Sequence, residues 1–361
     1  MTHLSNLYKS AFLKLKTFED LVTRRVQILL VGLSVRHLHG PKKIAYGLDE
    51  LIVVCVVRNG RPYIKSFIDH YLYLGVKHIV FLDNGSEDGT TDVAVAQGQE
   101  RVTVIQTKLP FKKYEFVMKQ YLISRFGKGS WSLYVDIDEL FDYPYSDIVS
   151  LGSLLRYLNE KSYTAVVTQM LDMFSNRALF DQVSQKDEPL KDLYKFYDIS
   201  NIKREYYRSR RGRRSNTVAN DDIKILKGGI RETLFGTNFM LTKHPLLFFD
   251  GEAKHKDHGL HNIRNARVAD FSCVLYHYKL VDGFRERVAQ AARQETYARA
   301  THQYKKCHEV LEQNAGSVRI MQATARELGS VNELIDNGFL IVSDEYRRWA
   351  EVEKEKRTAS S

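Results

Sequence analysis

From Leu51 the chain alternates short apolar runs with amphipathic stretches, and this alternation restricts the fold more than any other feature. Leu51 to Val57 is nearly all apolar, as expected for a strand covered on both faces. A helix should follow, turning Ile64, Phe67, Ile68, Tyr71 and Leu72 inward and stopping at Gly75. His78 to Leu82 reads as the next strand, then a short helix near Thr91 to Ala96 and a strand from Val102 to Gln106. A helix from Tyr114 to Phe126 and a strand from Ser132 to Val135 complete the series. Such a series predicts an α/β fold in which a mixed, mostly parallel sheet is flanked by helices.

In open sheets of this kind ligands bind beyond the carboxyl ends of the strands. Two polar clusters fall there: Asp83-Asn-Gly-Ser-Glu-Asp-Gly-Thr90 after the second strand, and Asp136-Ile-Asp-Glu139 after the Ser132 strand. Two carboxylates one residue apart repel each other unless a cation lies between them, and hard ions such as Mg2+ or Mn2+ suit such oxygens. A bare Asp-x-Asp is more often a solvated acidic turn, but here it shares a sheet edge with the Asp83 loop. Arg58 and Asn59 follow the first strand. With Asp83, Asn84, Gly85 and Ser86 they form a candidate nucleotide site, the carboxylate accepting from a base N–H or a ribose hydroxyl.

Beyond this half, Ser146 is a candidate cap for a helix running to about Asn159, and Tyr163 to Met170 reads as a strand ahead of Asp172. A strand from Cys273 to Tyr278 carries His277, and from Phe284 the pattern is helical to about Leu311. The last fifty residues hold a weakly apolar stretch, Leu334 to Val342, before a charged tail. His255, His258 and His261 do not match a zinc-ligand spacing. The expected division is a basic amphipathic helical extension over 1–48 and a main domain over 49–285, followed by a helical C-terminal extension over 286–361. The main domain would divide into two halves, 49–145 and 146–285.

The formal net charge of +10 favours anionic partners. Two stretches concentrate it. Near the start, Leu4, Leu7, Tyr8, Ala11, Phe12, Leu15 and Phe18 recur at helical spacing beside Lys9, Lys14 and Lys16, and Arg24 and Arg25 precede the apolar run Val26 to Val35. Such a helix lies on an anionic membrane or packs its stripe on the core. The second is the run Lys203, Arg204, Arg208, Arg210, Arg211, Arg213 and Arg214, interleaved with Tyr206 and Tyr207. It reads as a solvated loop, an acceptor-binding segment or a site for RNA or acidic lipid. No apolar run reaches the length of a membrane span, and Glu19 and Asp20 interrupt any signal-peptide pattern. Cys55, Cys273 and Cys307 are scattered and imply no disulfide framework. A cytoplasmic protein is the expectation, and the N-terminal helix leaves open a peripheral contact with the inner face of the membrane.

Val-Val-Arg58-Asn59, Phe-Leu-Asp83-Asn-Gly-Ser-x-Asp-Gly-Thr90 and Trp131-Ser-Leu-Tyr-Val-Asp-Ile-Asp-Glu-Leu-Phe141 together resemble the nucleotide-sugar half of a family-2-like glycosyltransferase of the GT-A fold. The specific motifs cover roughly residues 50–145, and a weaker likeness continues through Leu171-Asp172-Met-Phe174, Gly228-Gly-x-Arg231, Lys243-x-Pro245 and Leu275-Tyr-His-Tyr-Lys279. The bacterial branch it is similar to reads Asp-x-Asp-Glu-Phe, whereas Leu140 precedes Phe141 here. The resemblance implies that Asp83 contacts the base, Asp136 the ribose or diphosphate and Asp138 the metal, with Asp136 and His277 as further metal ligands. It also implies an inverting, hexosyltransferase-like enzyme of polysaccharide biosynthesis. Its donor would be a nucleoside-diphosphate sugar with Mn2+ or Mg2+, and its acceptor a glycan, a lipid-linked group or another hydroxyl. A base must take the acceptor's proton; Asp172 is the first candidate and Asp257 the second. The rival expectations are a nucleotidyltransferase on the same fold and a non-catalytic binder of nucleic acid or anionic lipid. As an enzyme the chain is expected to bind no nucleic acid.

Overall fold

A computed structural model of the chain describes residues 22–177, 189–209, 215–256, 259–294, 301–314 and 318–360. Residues 22–34 are helical (α1) and lead into β1 (Arg36–His39). Then come β2 (Ile52–Val57), α2 (Arg61–Leu74), β3 (His78–Asp83), α3 (Thr90–Gly98), β4 (Val102–Gln106), α4 (Phe111–Phe126) and β5 (Trp131–Tyr134). Local chemistry sets several of these bounds. Pro62 pre-sets the first turn of α2. Gly75 closes that helix in the left-handed region at φ 92°, its N–H returning to Leu72 O, a conformation a Cβ disfavours.

The series continues with β6 (Glu139–Asp142), α5 (Leu151–Glu160) and β7 (Ala165–Asp172). Ser150 rather than Ser146 caps α5, accepting from Ser153 N at 3.1 Å, because residues 143–149 are spent in turns, with Tyr145 at φ 64°. Next are α6 (Leu190–Leu193), β8 (Phe196–Tyr197), β9 (Ile202–Tyr206), β10 (Thr217–Val218), β11 (Lys224–Gly228), α7 (Ile230–Phe235), β12 (Thr242–Lys243) and β13 (Leu246–Phe248). The chain ends with β14 (Lys254–His255), β15 (Ile263–Arg264), β16 (Arg267–His277), α8 (Phe284–Gln294), α9 (Thr301–Gln313), β17 (Arg326–Glu327), α10 (Glu333–Asp336) and α11 (Asp344–Ser360).

The main sheet runs β1-β4-β3-β2-β5-β13-β7-β16-β10, with β12 beside β7 and β6 beside β16. Strands β4, β3, β2 and β5 are mutually parallel. Because β13 is antiparallel to both β5 and β7, and β16 is parallel to β7, the carboxyl ends of β2, β3, β4, β5, β7 and β16 share one edge. The expected mixed α/β sheet flanked by helices is what the chain forms.

From β2 the chain steps outward one way to β3 and β4, then returns to place β5 on the other side of β2. A right-handed crossover that reverses direction must use the opposite face of the sheet. Accordingly α2 and α3 pack Ile64, Phe67, Ile68, Tyr71 and Ala94 on one face, while α4 packs Val117, Met118 and Leu122 on the other. The gap between the ends of β2 and β5 is therefore a topological switch point, where no crossover covers the edge.

The charged tail forms helix α11. Tyr346 of α11 is fully buried and stacks on Phe271 at 4.0 Å between ring centroids, beside Tyr157 and Trp349. Leu334, Phe339, Leu340 and Ala350 join the cluster that covers the α2 face of the sheet. Truncating a buried aromatic costs about 3–5 kcal/mol. Tyr346→Ala should lower the urea-unfolding free energy by that amount in a single transition for the whole chain; a separate early transition would show that α11 folds apart from the sheet.

Candidate active site

Two loops meet at the switch point. Gly60, after β2, lies so close to the Asp136–Asp138 turn after β5 that a Cβ there would fall 3.0 Å from Ile137 and 2.6 Å from Val57. The Asp83–Thr90 loop braces the first of these. Asn59 N donates to Ser86 Oγ at 2.8 Å, Glu87 N to Asn59 Oδ1 at 3.0 Å, Gly60 N to Thr90 Oγ1 at 2.8 Å and Arg61 N to Asp88 Oδ2 at 3.0 Å.

The expected nucleotide residues Asn59, Asp83, Asn84, Gly85 and Ser86 thus stand together, and mostly they hold one another. Asp83 is fully buried and accepts from Gly85 N, Ser86 N and, at 2.8 Å, Gln106 Nε2. Asn84 is also buried and donates to Thr107 O and Leu109 O, while Gly85 takes φ 78° to turn the loop. Arg58, by contrast, has its side chain exposed.

The acidic turn sits in a lattice of cations. Asp136, partly exposed, faces Lys119 Nζ at 3.5 Å and Lys243 Nζ at 3.3 Å. Burial alone would raise its pKa, but the two ammoniums pull it down to about 2. Lys243 also pairs with Glu139, which is buried and accepts Asp136 N at 3.1 Å. Lys119 pairs with Glu115 one helical turn away at 3.0 Å, so both lysines stay charged although buried. Asp138 lies 3.5 Å from Lys279 Nζ and 3.6 Å from His277 Nε2, and these cations overcome burial to keep its carboxyl well below the usual range.

His277 connects the turn to β7. The parallel register sets His277 beside Asp172, and its Nδ1 is 2.5 Å from Asp172 Oδ1. Asp172 Oδ2 accepts Arg231 Nε at 2.7 Å. Burial opposes charge on both groups, yet Arg231 and His277 lower the Asp172 pKa, while Asp138 and Asp172 raise that of His277. Both Asp172 oxygens are thus engaged in a buried ion pair, one with Arg231 and one with His277.

The orientation of the imidazole bears on a metal. With Nδ1 tied to Asp172, Nε2 faces Asp138, the arrangement in which a carboxylate fixes the tautomer of a metal-binding histidine. The Asp138 carboxylate and the His277 nitrogen are two protein donors that suit an ion such as Mn2+, with Asp136 beside them. Among the described residues no three His, Cys, Asp or Glu side chains converge into a cage, so phosphate and water would supply the remaining ligands.

Other expected residues fall elsewhere. His255 Nε2 is 2.8 Å from His244 O and His261 Nδ1 is 2.9 Å from Thr242 O, so both imidazoles are tied to backbone carbonyls. Asp257, His258 and Arg210, Arg211, Arg213 and Arg214 lie outside the described residues. Lys203 and Arg204 stand on β9, paired with β11, and Lys203 bridges to Glu232. Lys119 is the site residue that sequence reasoning missed. Its only local signal is the spacing of four from Glu115 inside an apolar helix.

No family model matches the chain, and no curated protein matches it. Among solved structures it is similar to glucosyl-3-phosphoglycerate synthase from Mycobacterium tuberculosis, at 21% identity over 34% of this chain and 44% of that one, TM-score 0.24. It is also similar to HddC from Yersinia pseudotuberculosis, at 10% identity over 37% and 64%, TM-score 0.24. A third is 4-diphosphocytidyl-2C-methyl-D-erythritol synthase from Anaerococcus prevotii, at 11% identity over 40% and 61%, TM-score 0.23. The chain spans less than two thirds of each, and scores this low carry no weight for function or for residue roles.

The lysine lattice is testable without a substrate. Removing one partner of a buried pair costs about 3–5 kcal/mol because the other charge is left unpaired. Lys243→Met should destabilise by that amount in urea at neutral pH, and adding Glu139→Gln should recover much of it. Additive losses in the double variant would show that Lys243 and Glu139 are not coupled.

Proposed function

We propose that the chain transfers a sugar from a nucleoside-diphosphate donor to a hydroxyl of a glycan, a lipid-linked or another acceptor, using Mn2+ or Mg2+. One observation carries this reading: Asp136 and Asp138 lie at the switch point with His277 held by Asp172 so that its second nitrogen faces Asp138. The motif resemblance in the Asp83 and Asp136 loops supports the donor class.

A protein that only binds anions gains nothing from two ionised carboxylates at its mouth, because they repel phosphate. The carboxylates make sense where a cation joins them to the phosphates. When bound, the metal ion would neutralise charge on the departing nucleoside diphosphate. Asp138 and His277 would hold it, with Asp136 beside them. Lys119, Lys243 and Lys279 set positive charge along the same edge, and Arg58 stands exposed at the end of β2 to reach a phosphate. Preorganised cations of this kind stabilise developing charge without reorganising during the reaction. The Asp83 network keeps the loop beneath the base rigid. Since Asp172 is engaged by Arg231 and His277, the base that takes the acceptor's proton is sought elsewhere, and Asp257 is the remaining candidate from the sequence. An inverting outcome is part of the proposal. A nucleotidyltransferase would use the same edge but release pyrophosphate.

Incubation with a panel of nucleotide sugars and Mn2+ should release UDP or GDP slowly. Asp138→Asn should silence that release with a melting temperature within a few degrees of the parent. Pyrophosphate release from nucleoside triphosphates, without nucleoside-diphosphate release, would overturn the glycosyl-transfer reading.

The role given to Asp172 has its own readout. Losing such an orienting partner weakens metal affinity by about 10–100-fold. In Mn2+ titrations followed by electron paramagnetic resonance with UDP or GDP present, Asp172→Asn should show that loss and His277→Ala a larger one. Mn2+ affinity unchanged in His277→Ala would remove His277 from the metal.

A further inference from the structure

Helix α1 is apolar on two sides. Val31 is fully buried and packs with Ile28 and Val35 on the core beneath α4, and Gly32 sits against the ring of Tyr121. On the opposite side Val22, Val26, Leu29, Leu30 and Leu33 are spaced three and four apart and share one stripe. They are 44%, 51%, 62%, 44% and 76% exposed, so the described chain leaves much of this second stripe uncovered. Leu38 on the neighbouring edge strand β1 is exposed as well. Large apolar side chains grouped in this way mark a docking surface.

The surrounding charge identifies the partner. No Asp or Glu occurs between Leu21 and Leu48, whereas Arg24, Arg25, Arg36, Lys42 and Lys43 all fall in that interval with exposed side chains. The hairpin of β14 and β15 adds Lys254, Lys256 and Arg264 near Arg24. Burial and then the like charges of Arg264, Arg24 and Lys254 lower the pKa of Lys256, the mark of cations gathered close together. A second copy of this chain would set these cations against their own kind. An anionic bilayer offers hydrocarbon for the leucines and headgroup phosphates for the bases.

We propose that the outer stripe of α1 is a membrane-docking face for anionic lipid, with Leu29 and Leu33 its most exposed members. In the sequence, Leu4, Tyr8, Ala11, Leu15 and Phe18 recur at the same spacing ahead of Val22. The helix also lies near the candidate site. Its end is tied to the sheet edge by Ser34 Oγ at 2.7 Å from Thr107 Oγ1, just past β4, and Arg24 lies over Phe116, one turn before Lys119 on α4. Docking on this face would hold the catalytic edge close to a lipid-linked acceptor. The docking itself does not depend on the reaction proposed above.

The test uses the full chain and vesicles of phosphatidylcholine alone or mixed with phosphatidylglycerol. Flotation should recover the chain with the mixed vesicles and not with the neutral ones, and recovery should fall as salt is raised. Leu29→Glu with Leu33→Glu should weaken that binding roughly tenfold or more. Arg25→Gln with Lys42→Gln and Lys43→Gln should weaken it less and reduce its salt dependence. Both sets alter exposed side chains, so melting temperatures should stay within a few degrees of the parent. Equal vesicle binding by the Leu29/Leu33 variant overturns the proposal and would assign binding to residues 1–21 or another surface. A concentration-dependent dimer without lipid, abolished by the same two substitutions, would identify a second copy as the occupant and overturn it too.

Discussion

The pairing of β2 with β5 is the constraint on which the rest of the structure depends. Ile52, Val53 and Val54 align with Ser132, Leu133 and Tyr134, and this short parallel contact brings the turn after β5 beside the loop after β2. The approach is close enough that Gly60 admits no side chain without displacing Val57 or Ile137. Were β5 to join the sheet beyond β4 instead, Asp136 and Asp138 would lie across the whole parallel half from Arg58. The reversal of crossover direction opens the crevice, and the residues gathered there follow from it.

Charge balance then governs the site. Asp136, Asp138, Glu139 and Asp172 crowd one edge, and a lysine, arginine or histidine compensates each: Lys119, Lys243, Lys279, Arg231 and His277. These cations come from α4, α7, β12, β16 and the residues just past it, elements that meet only in the folded chain. Burial raises a carboxyl's pKa; the lattice overcomes this at Asp136, Asp138 and Asp172, whereas burial still raises that of Glu139. The same lattice leaves the Asp172 carboxylate shared between Arg231 and His277.

Much of the architecture was legible along the chain. The strands of the first half and helix α2 fall within a residue or two of their expected bounds, because apolar periodicity and the Gly75 stop are local signals. The helix around Leu151 is a counterexample. The sequence points to Ser146 as its cap, yet Ser150 caps it, because the chain first turns through Tyr145 at a positive φ. The charged tail carries less signal: helix is expected there, but only the fold shows Tyr346, Trp349 and Ala350 packing one face of it on Phe271 and Tyr157.

By itself the sequence determined the alternation of strands and helices, the placement of Asp83 and of Asp136 with Asp138 at strand ends, and the basic, acid-free stretch around α1. Each of these is a property of neighbouring residues, and backbone periodicity or local composition is enough to express it. The tertiary structure alone decided what those groups touch. His277 meets Asp172 across 105 residues because β16 lies parallel to β7 in one particular register. Lys119 points into the site because α4 crosses to the face opposite α2. Which side of α1 is left bare depends on what the sheet already covers. Contacts of this range are fixed by packing and strand register, and those depend on the whole chain at once rather than on any segment of it.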